Sequence, residues 1–250
     1  LLGPEGAPGP RVAMLMAVIP RLAPSAGGAA ADLVAGLRDA DRANAVLFLA
    51  QRVARPLAPD DALRLLDGVD APSQRLQSIR SVAPLLGRVT AADVGRMLGP
   101  LRDEARLGGL VALLDKIETP IGGASLGPLL GDALGPARLR GLQALASRLT
   151  FTPAQAADEL RGFDGAERTA ALPLVLDRTA GDADPATLAE LVRGLDPARA
   201  GRQAATIVRA SVAEPGRLAP VLAALPPEAR QSFLEQLAAV RDAPRLLPAD

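Results

Sequence analysis

The sequence predicts an all-α protein, an α-solenoid or superhelix of about eight helical hairpins, and three observations carry that expectation. Arginine recurs at Arg11, Arg42, Arg75, Arg106, Arg138, Arg168, Arg199 and Arg230, at intervals of 30 to 33 residues. Apolar residues follow each arginine in helical register. A second helix-start signal falls inside most intervals.

Composition points the same way. Hydrophobic residues make up 49% of the 250, enough for a sizeable core, yet aromatics are only 2%. The core must then be Leu, Val and Ala, which suits packed helices better than a sandwich or barrel. The wealth of Arg, Ala, Gly and Pro, with Lys116 as the single lysine, fits a GC-rich bacterial genome and makes each arginine a weaker signal taken alone.

The first helix of each hairpin, helix A, starts near the repeated arginine. Counting from it, positions +4, +7 and +11 read Leu15, Val18, Leu22; Val46, Leu49, Val53; Ile79, Val82, Leu86; Leu110, Leu113, Ile117; and Leu142, Leu145, Leu149. That spacing is the apolar stripe of an amphipathic helix. The sixth copy keeps Leu172 and Val175, the seventh degrades to Gln203 and Thr206, and the last keeps Leu234 and Leu237. Such decay suits a capping region. Pro20 and Pro84 lie nine residues after their arginines and Pro173 lies inside another A helix, so kinks or early ends are expected there.

Helix B opens on side chains that satisfy free backbone N–H groups. Thr152-Pro153-Ala154-Gln155 and Thr90-Ala91-Ala92-Asp93 read as capping boxes, and Asp184-Pro185 as a cap followed by Pro. Leu65 and Leu66, Met97 and Leu98, Leu129 and Leu130, Leu160, Leu191 and Val192, and Val221 and Leu222 form its apolar core side. Each B helix then closes on Leu37, Val69, Leu101, Leu134, Phe163, Leu195 or Leu225. Asp196-Pro197-Ala198-Arg199 shows the turn into the next A helix. One hairpin cannot bury its own stripe, so the copies must stack. The expected organisation is a Gly/Pro-rich linker over 1–10, one helical repeat domain over 11–243 and a tail over 244–250, with the stretch from Gly122 to Gly135 as a bend or mobile loop.

The repeated arginine begins the apolar stripe and should be half-buried. A cation near a helix N-terminus costs about a few tenths of a kcal/mol against the helix dipole, so its recurrence needs a tertiary cause. One reading is a structural ladder, each guanidinium donating to C-terminal carbonyls of the preceding B helix or to a turn carboxylate such as Asp39, Asp70, Asp103, Asp164 or Asp196. The other is a row that binds phosphates or an acidic peptide, one repeat per unit.

Function is bounded mostly by subtraction. Lys plus Arg equals Asp plus Glu at 28 each, so no net field draws in nucleic acid, and no Tyr or Trp offers a base to stack on. Without His or Cys, the commonest general base, nucleophile and metal ligands are missing. The carboxylate pairs Asp60-Asp61, Asp103-Glu104 and Asp158-Glu159 sit at helix starts or on solvated faces and point to different sides of a helix. Lys116 reads as a surface lysine, and Gly122-Gly123 follows no strand that would make it a phosphate loop. No enzyme, cofactor or metal is expected. No apolar stretch is long enough to span a membrane. The chain opens on Leu1 rather than Met, which leaves room for an upstream signal, so cytoplasmic and exported locations both stay open.

Phe151-Thr152-Pro153-Ala154-Gln155, then Phe163 and Arg168, the turn at Asp182, and Leu195 with Arg199 resemble the bacterial domain-of-unknown-function family 4476, common in myxobacterial proteins. The likeness spans Phe151 to about Val208, and Leu or Val replaces the family's aromatic in most of the internal copies. Leu218 to Leu237, with Leu225-Pro226-Pro227-Glu228, resembles the helical N-terminal domains of magnesium transporters and flagellar switch proteins. Neither resemblance implies a catalytic residue. The expected function is therefore a right-handed solenoid that binds an unidentified protein or peptide through a groove. Self-assembly as a structural or envelope-associated protein is the second reading, and phosphate-polymer binding by the arginine row is the third.

Overall fold

The computed structural model describes residues 10–19, 27–179, 183–193, 195–208 and 215–241. Fifteen α-helices run through these residues. The A helices are α1 (Pro10–Val18), α3 (Asp39–Leu49), α5 (Pro72–Val82), α7 (Asp103–Leu113), α9 (Gly135–Leu145), α11 (Gly165–Leu176), α13 (Pro197–Val208) and α15 (Pro227–Arg241). Between them lie the B helices: α2 (Gly27–Leu33), α4 (Pro59–Leu66), α6 (Ala91–Leu98), α8 (Leu126–Leu130), α10 (Pro153–Arg161), α12 (Pro185–Val192) and α14 (Pro215–Ala224). The all-α expectation holds, with eight A helices but seven B helices among the described residues.

The chain divides into two compact units. The first comprises 1–121 and 125–133, the second 122–124 and 134–250. In the first unit α1, α3, α5 and α7 pack in series, and so do α2, α4, α6 and α8. Like helices lie beside like helices, which forms an A layer and a B layer. In the second unit α9 packs on α11 and α13 on α15, while α10, α12 and α14 follow one another.

The apolar stripes explain this layering. Val46, Leu49, Ile79, Val82, Leu110, Leu113, Leu142, Leu145, Leu172 and Val175 are all buried, as are the B-helix residues Leu65, Leu66, Met97, Leu98, Leu129, Leu160 and Leu191. Each such side chain contributes about 1.5–3 kcal/mol on burial. The +11 residues Val53, Leu86, Ile117 and Leu149 are buried too, but beyond the end of the α-helix. Three A helices tighten into a 3-10 turn first, at Ala83–Leu85, Leu114–Lys116 and Ala146–Arg148. Only the first contains a proline, Pro84, so these helices end at a common place with or without one. Pro173 lies inside α11, which continues to Leu176. Pro20 and Leu22 lie outside the described residues.

After each such end, the extended connectors of successive hairpins touch by single parallel bridges. Within the first unit Leu57 pairs with Leu86 and Val89 with Ile117, and within the second Phe151 pairs with Thr179. The bonds are ordinary backbone ones, such as Leu57 N–H to Leu85 O at 2.8 Å and Val89 N–H to Lys116 O at 2.9 Å.

Three expectations change. The stretch from Gly122 to Gly135 is not a loop: it holds a 3-10 turn at Gly123–Ser125 and the short helix α8. Leu134 does not close its B helix but is 74% exposed, because it is the N-cap of α9, the place held by Arg38, Arg102 and Asp164 before their own A helices. In the seventh A helix the side chains of Gln203 and Thr206 lie outside the described ones, and small residues make the contacts that are described. α13 presents buried Ala200, Gly201, Ala204 and Ala205, and a Cβ on Gly201 would come within 2.6 Å of the Phe233 nitrogen in α15. Finally, the stripe is left uncovered at the outer copies, where Val18 is 43% and Leu234 48% exposed.

Local signals behave as read. Thr90 with Asp93 and Thr152 with Gln155 form capping boxes, and Asp184 accepts from the N–H groups of Ala186 and Thr187. Burial would raise the Asp93 carboxyl, but hydrogen bonds from Thr90 and Arg96 outweigh it and hold Asp93 below the usual carboxylate range. A hydrogen bond from the Thr187 hydroxyl, joined by its N–H, does the same for Asp184. Because the folded pKa is depressed, this stabilisation is present above about pH 4 and is lost as pH falls through the folded value. Denaturation between about pH 5 and pH 2 should show a shallower loss of stability for Asp93→Asn than for the unaltered chain; equal slopes would contradict it.

The residue three before the arginine has a left-handed backbone in four copies: Asp39 (φ 41°), Asp103 (φ 44°), Gly135 (φ 50°) and Gly165 (φ 49°). Space around Gly165 is open, so only the backbone resists a side chain there. Gly165→Ala should cost about 1 kcal/mol, or roughly 2–4 °C in melting temperature. An unchanged melting temperature would remove the backbone argument.

Candidate functional site

The repeated arginines are the most regular chemical feature of the chain. Arg42, Arg75, Arg106 and Arg168 are 5 to 7% exposed, more deeply buried than half. Each starts an A helix, and each guanidinium reaches the C-terminal carbonyls of the B helix before it and of the B helix after it.

Arg42 donates to Val34 O (2.8 Å) and Leu37 O (3.4 Å) at the end of α2, and to Leu65 O (3.1 Å) and Arg64 O at the end of α4. Arg75 donates to Leu66 O (2.9 Å) and Val69 O (3.3 Å) after α4 and to Met97 O (2.9 Å) in α6. Arg106 repeats the pattern with Gly99 O (3.4 Å) and Leu101 O (3.2 Å) after α6, and Leu129 O (2.9 Å) and Pro128 O in α8. In the second unit Arg168 donates to Leu160 O of α10 and to Glu190 O (2.6 Å) and Arg193 O (3.2 Å) of α12, with the Glu190 carboxylate at 3.2 Å.

The electrostatic account follows. The last carbonyls of a helix have no partner within it and carry the negative end of the helix dipole. Each buried cation therefore opposes the dipole of its own A helix and favours those of two B helices. The planar guanidinium presents its N–H groups as a fixed fork, which a lysine could not match. Burial lowers the affinity of all four guanidinium groups for their protons. In Arg106 the adjacent Arg102 lowers it further, while Asp132 raises it.

The other members vary. Arg138 makes a two-pronged ion pair with buried Glu159, at 2.6 Å from Nε to Oε1 and 2.5 Å from Nη2 to Oε2. Arg199 is half-buried and donates its backbone N–H to Asp196 Oδ1 at 3.0 Å. Arg230 is exposed and donates to Leu225 O at 3.3 Å. The side chain of Arg11 lies outside the described residues.

The turn carboxylates are not what the buried clamps grip. Asp39, for instance, accepts from the N–H groups of Asp70 and Ala71. Of the adjacent carboxylate pairs, Asp158 faces out to Arg161, whereas Glu159 faces in to Arg138, so the second is not on a solvated face. Lys116 is likewise half-buried, its Nζ donating to Leu86 O at 2.9 Å. A Cβ on Gly123 would lie 2.7 Å from the Phe151 ring, so this glycine serves packing.

A second pattern went unread in the sequence. Four B helices carry an acid three residues before an arginine, and all four pairs form ion pairs: Asp61 with Arg64, Asp93 with Arg96, Asp158 with Arg161 and Glu190 with Arg193. Arg64 also reaches Asp32 in α2, and Arg96 reaches Asp60 in α4, so neighbouring B helices are laced together. These pairs are worth little stability but put alternating charge on the exposed side of B helices in each unit. The signal, acid-x-x-Arg, is short enough to be lost in an arginine-rich chain.

Two clefts open on this face in the first unit. One lies between α2 and α4 and is lined by Arg38, Arg42, Arg64 and Asp67; the other lies between α6 and α8 and is lined by Arg96, Arg102, Arg106 and several glycines. Among the described residues no group of three or more His, Cys, Asp or Glu side chains could hold a metal, and no helix is long and apolar enough to cross a membrane. No family model matches the chain, and neither a curated protein nor a solved structure matches it.

Replacing one clamp tests its worth. Arg106→Met should strand several buried carbonyls and cost at least about 2–4 kcal/mol, with Arg106→Lys recovering little of it. Arg138→Leu should cost about 1–3 kcal/mol through Glu159 left without its cation. Chemical denaturation reads both, and losses under about 0.5 kcal/mol would show the clamps to be incidental.

Proposed function

We propose that the chain is a non-catalytic interaction scaffold, an α-solenoid that binds a protein or peptide through the outer face of its helical layers. The observation that supports this most is the three-helix clamp, which returns with the same geometry at Arg42, Arg75 and Arg106 and again at Arg168. A fold that spends its buried cations on joining one hairpin to the next grows by addition, and such folds present long binding surfaces. The charge on the B face is laid out in pairs rather than in one sign, which suits a protein partner better than a polyanion. The clamp guanidinium groups are committed to carbonyls, which weighs against the arginine row as a reader of phosphates.

Self-assembly is the second reading, and one observation favours it. Met14 and Val18 in α1 and Leu234 in α15 are exposed apolar residues on the first and last A helices of the chain. Surfaces of that kind at two different places on a chain allow head-to-tail association.

One experiment separates the readings. Photo-crosslinking amino acids placed at exposed B-helix positions such as Ala92 and Ala154 should capture one specific protein from a lysate of the source organism. Recovery of the chain alone, with a sedimentation coefficient that rises with concentration, would replace the scaffold with an assembling protein. Recovery of nucleic acid whose binding falls steeply with salt would favour the polymer reading.

A further inference from the structure

The two clefts of the first unit occupy equivalent places, each between consecutive B helices, over a clamp arginine and beside the arginine four residues before it. Arg38 and Arg42 serve the α2–α4 cleft, Arg102 and Arg106 the α6–α8 cleft. They differ at the residue that caps the second B helix. After α4 that residue is Asp67, whose carboxylate lines the first cleft; after α8 it is Gly131. The second cleft is lined by three guanidinium groups and no carboxylate. Asp132, the next residue, is exposed and lies outside the lining.

Of the three cations, two are tied to neighbouring helices. Arg96 is paired with Asp93 at 2.5 Å and Asp60 at 3.4 Å, and Arg106 is held by the carbonyls of α8. Arg102 is exposed, and it donates to the same two carbonyls as Arg106: Gly99 O at 3.0 Å and Leu101 O at 3.1 Å. Sharing acceptors holds two like charges side by side, with no acid in the cleft lining; Asp132 acts on Arg106 from outside it. The walls beside them, Gly95, Gly99, Gly127 and Pro128, are bare backbone and apolar, and the cleft is broad and open, with a volume of about 470 Å³. Gly95 has to be glycine, since a Cβ there would lie 2.8 Å from Pro128 O.

We propose that the α6–α8 cleft binds a peptide segment bearing a carboxylate, which takes at Arg102 the place Asp67 holds in the α2–α4 cleft, with a neighbouring apolar side chain against the glycine wall. The acid that lines the first cleft and acts on Arg42 through its charge is a carboxylate and not a larger anion, and the apolar wall needs more than a free small acid to fill it. This rests on the scaffold reading and names its site and partner chemistry.

The test uses the whole chain labelled with ¹⁵N and two probes, N-acetyl-Leu-Asp amide and N-acetyl-Leu-Asn amide. The acidic peptide should shift the amide signals of Gly95, Gly99, Gly127 and Gly131 saturably, with a dissociation constant on the order of millimolar. The neutral peptide should bind about fivefold more weakly, and Arg102→Gln, which keeps its melting temperature because the residue is exposed, should erase that difference. Absent shifts, equal affinity for the two peptides, or an unaltered preference in Arg102→Gln would each overturn the assignment. The two readings fail separately. A captured partner with no peptide response here removes this cleft alone, whereas a peptide response without any captured partner counts against the scaffold.

Discussion

Short helices leave much of their backbone unsatisfied, and that constraint shapes this protein. A helix of eight residues ends with four carbonyls that no N–H of its own can reach, and the B helices here run from five to ten residues. Stacked into a layer, their C-terminal ends turn inward where water does not serve them. Unpaired, each buried carbonyl would cost on the order of 1–3 kcal/mol. A single guanidinium placed between two such ends answers several of them together, and its charge suits the negative poles of both helices. The position of Arg42, Arg75, Arg106 and Arg168 at the start of an apolar stripe follows from this: the side chain must begin in the core to reach two B helices.

Much of the fold is legible in the sequence because its signals are local. The +4 and +7 residues of the central copies are buried as their spacing implies, and the caps at Thr90, Thr152 and Asp184 form bonds that their own neighbours dictate. What was not legible depends on partners distant in sequence. Val18 and Leu234 have the same register as Leu49 and Val46, yet register cannot say that an outer helix lacks a cover. The seventh copy read as degraded at Gln203 and Thr206, and the pattern gave no sign that Gly201 lets α13 approach α15 closely. Leu134 shows the limit of pattern reading at a boundary, since a residue that reads as a closer is the N-cap of the next helix and stands exposed.

The candidate site divides the same way. That the arginines needed a tertiary partner was evident from their unfavourable place near a helix N-terminus, and carbonyls of the preceding B helix were among the expected acceptors. The second grip, on the B helix about 22 residues later, was not, because it requires knowing that consecutive B helices lie side by side. Glu159 was hidden for the same reason: adjacent to Asp158 it reads as one of a solvated pair, and only the tertiary fold, which brings α10 within reach of Arg138, turns it inward. The α6–α8 cleft could not be read at all from sequence, since it consists of what glycine and a short uncharged helix leave out.

The claim that carries the rest is that the guanidinium groups are fixed by the carbonyls of two helices at once. NMR of the arginine side chains measures this directly. Slow solvent exchange of the Nε–H and hindered rotation of the guanidinium, seen for Arg42, Arg75, Arg106 and Arg168 but not for exposed Arg64 or Arg161, is the predicted result. Fast exchange and free rotation at all of them would contradict it, and would leave the layers held by apolar contact alone.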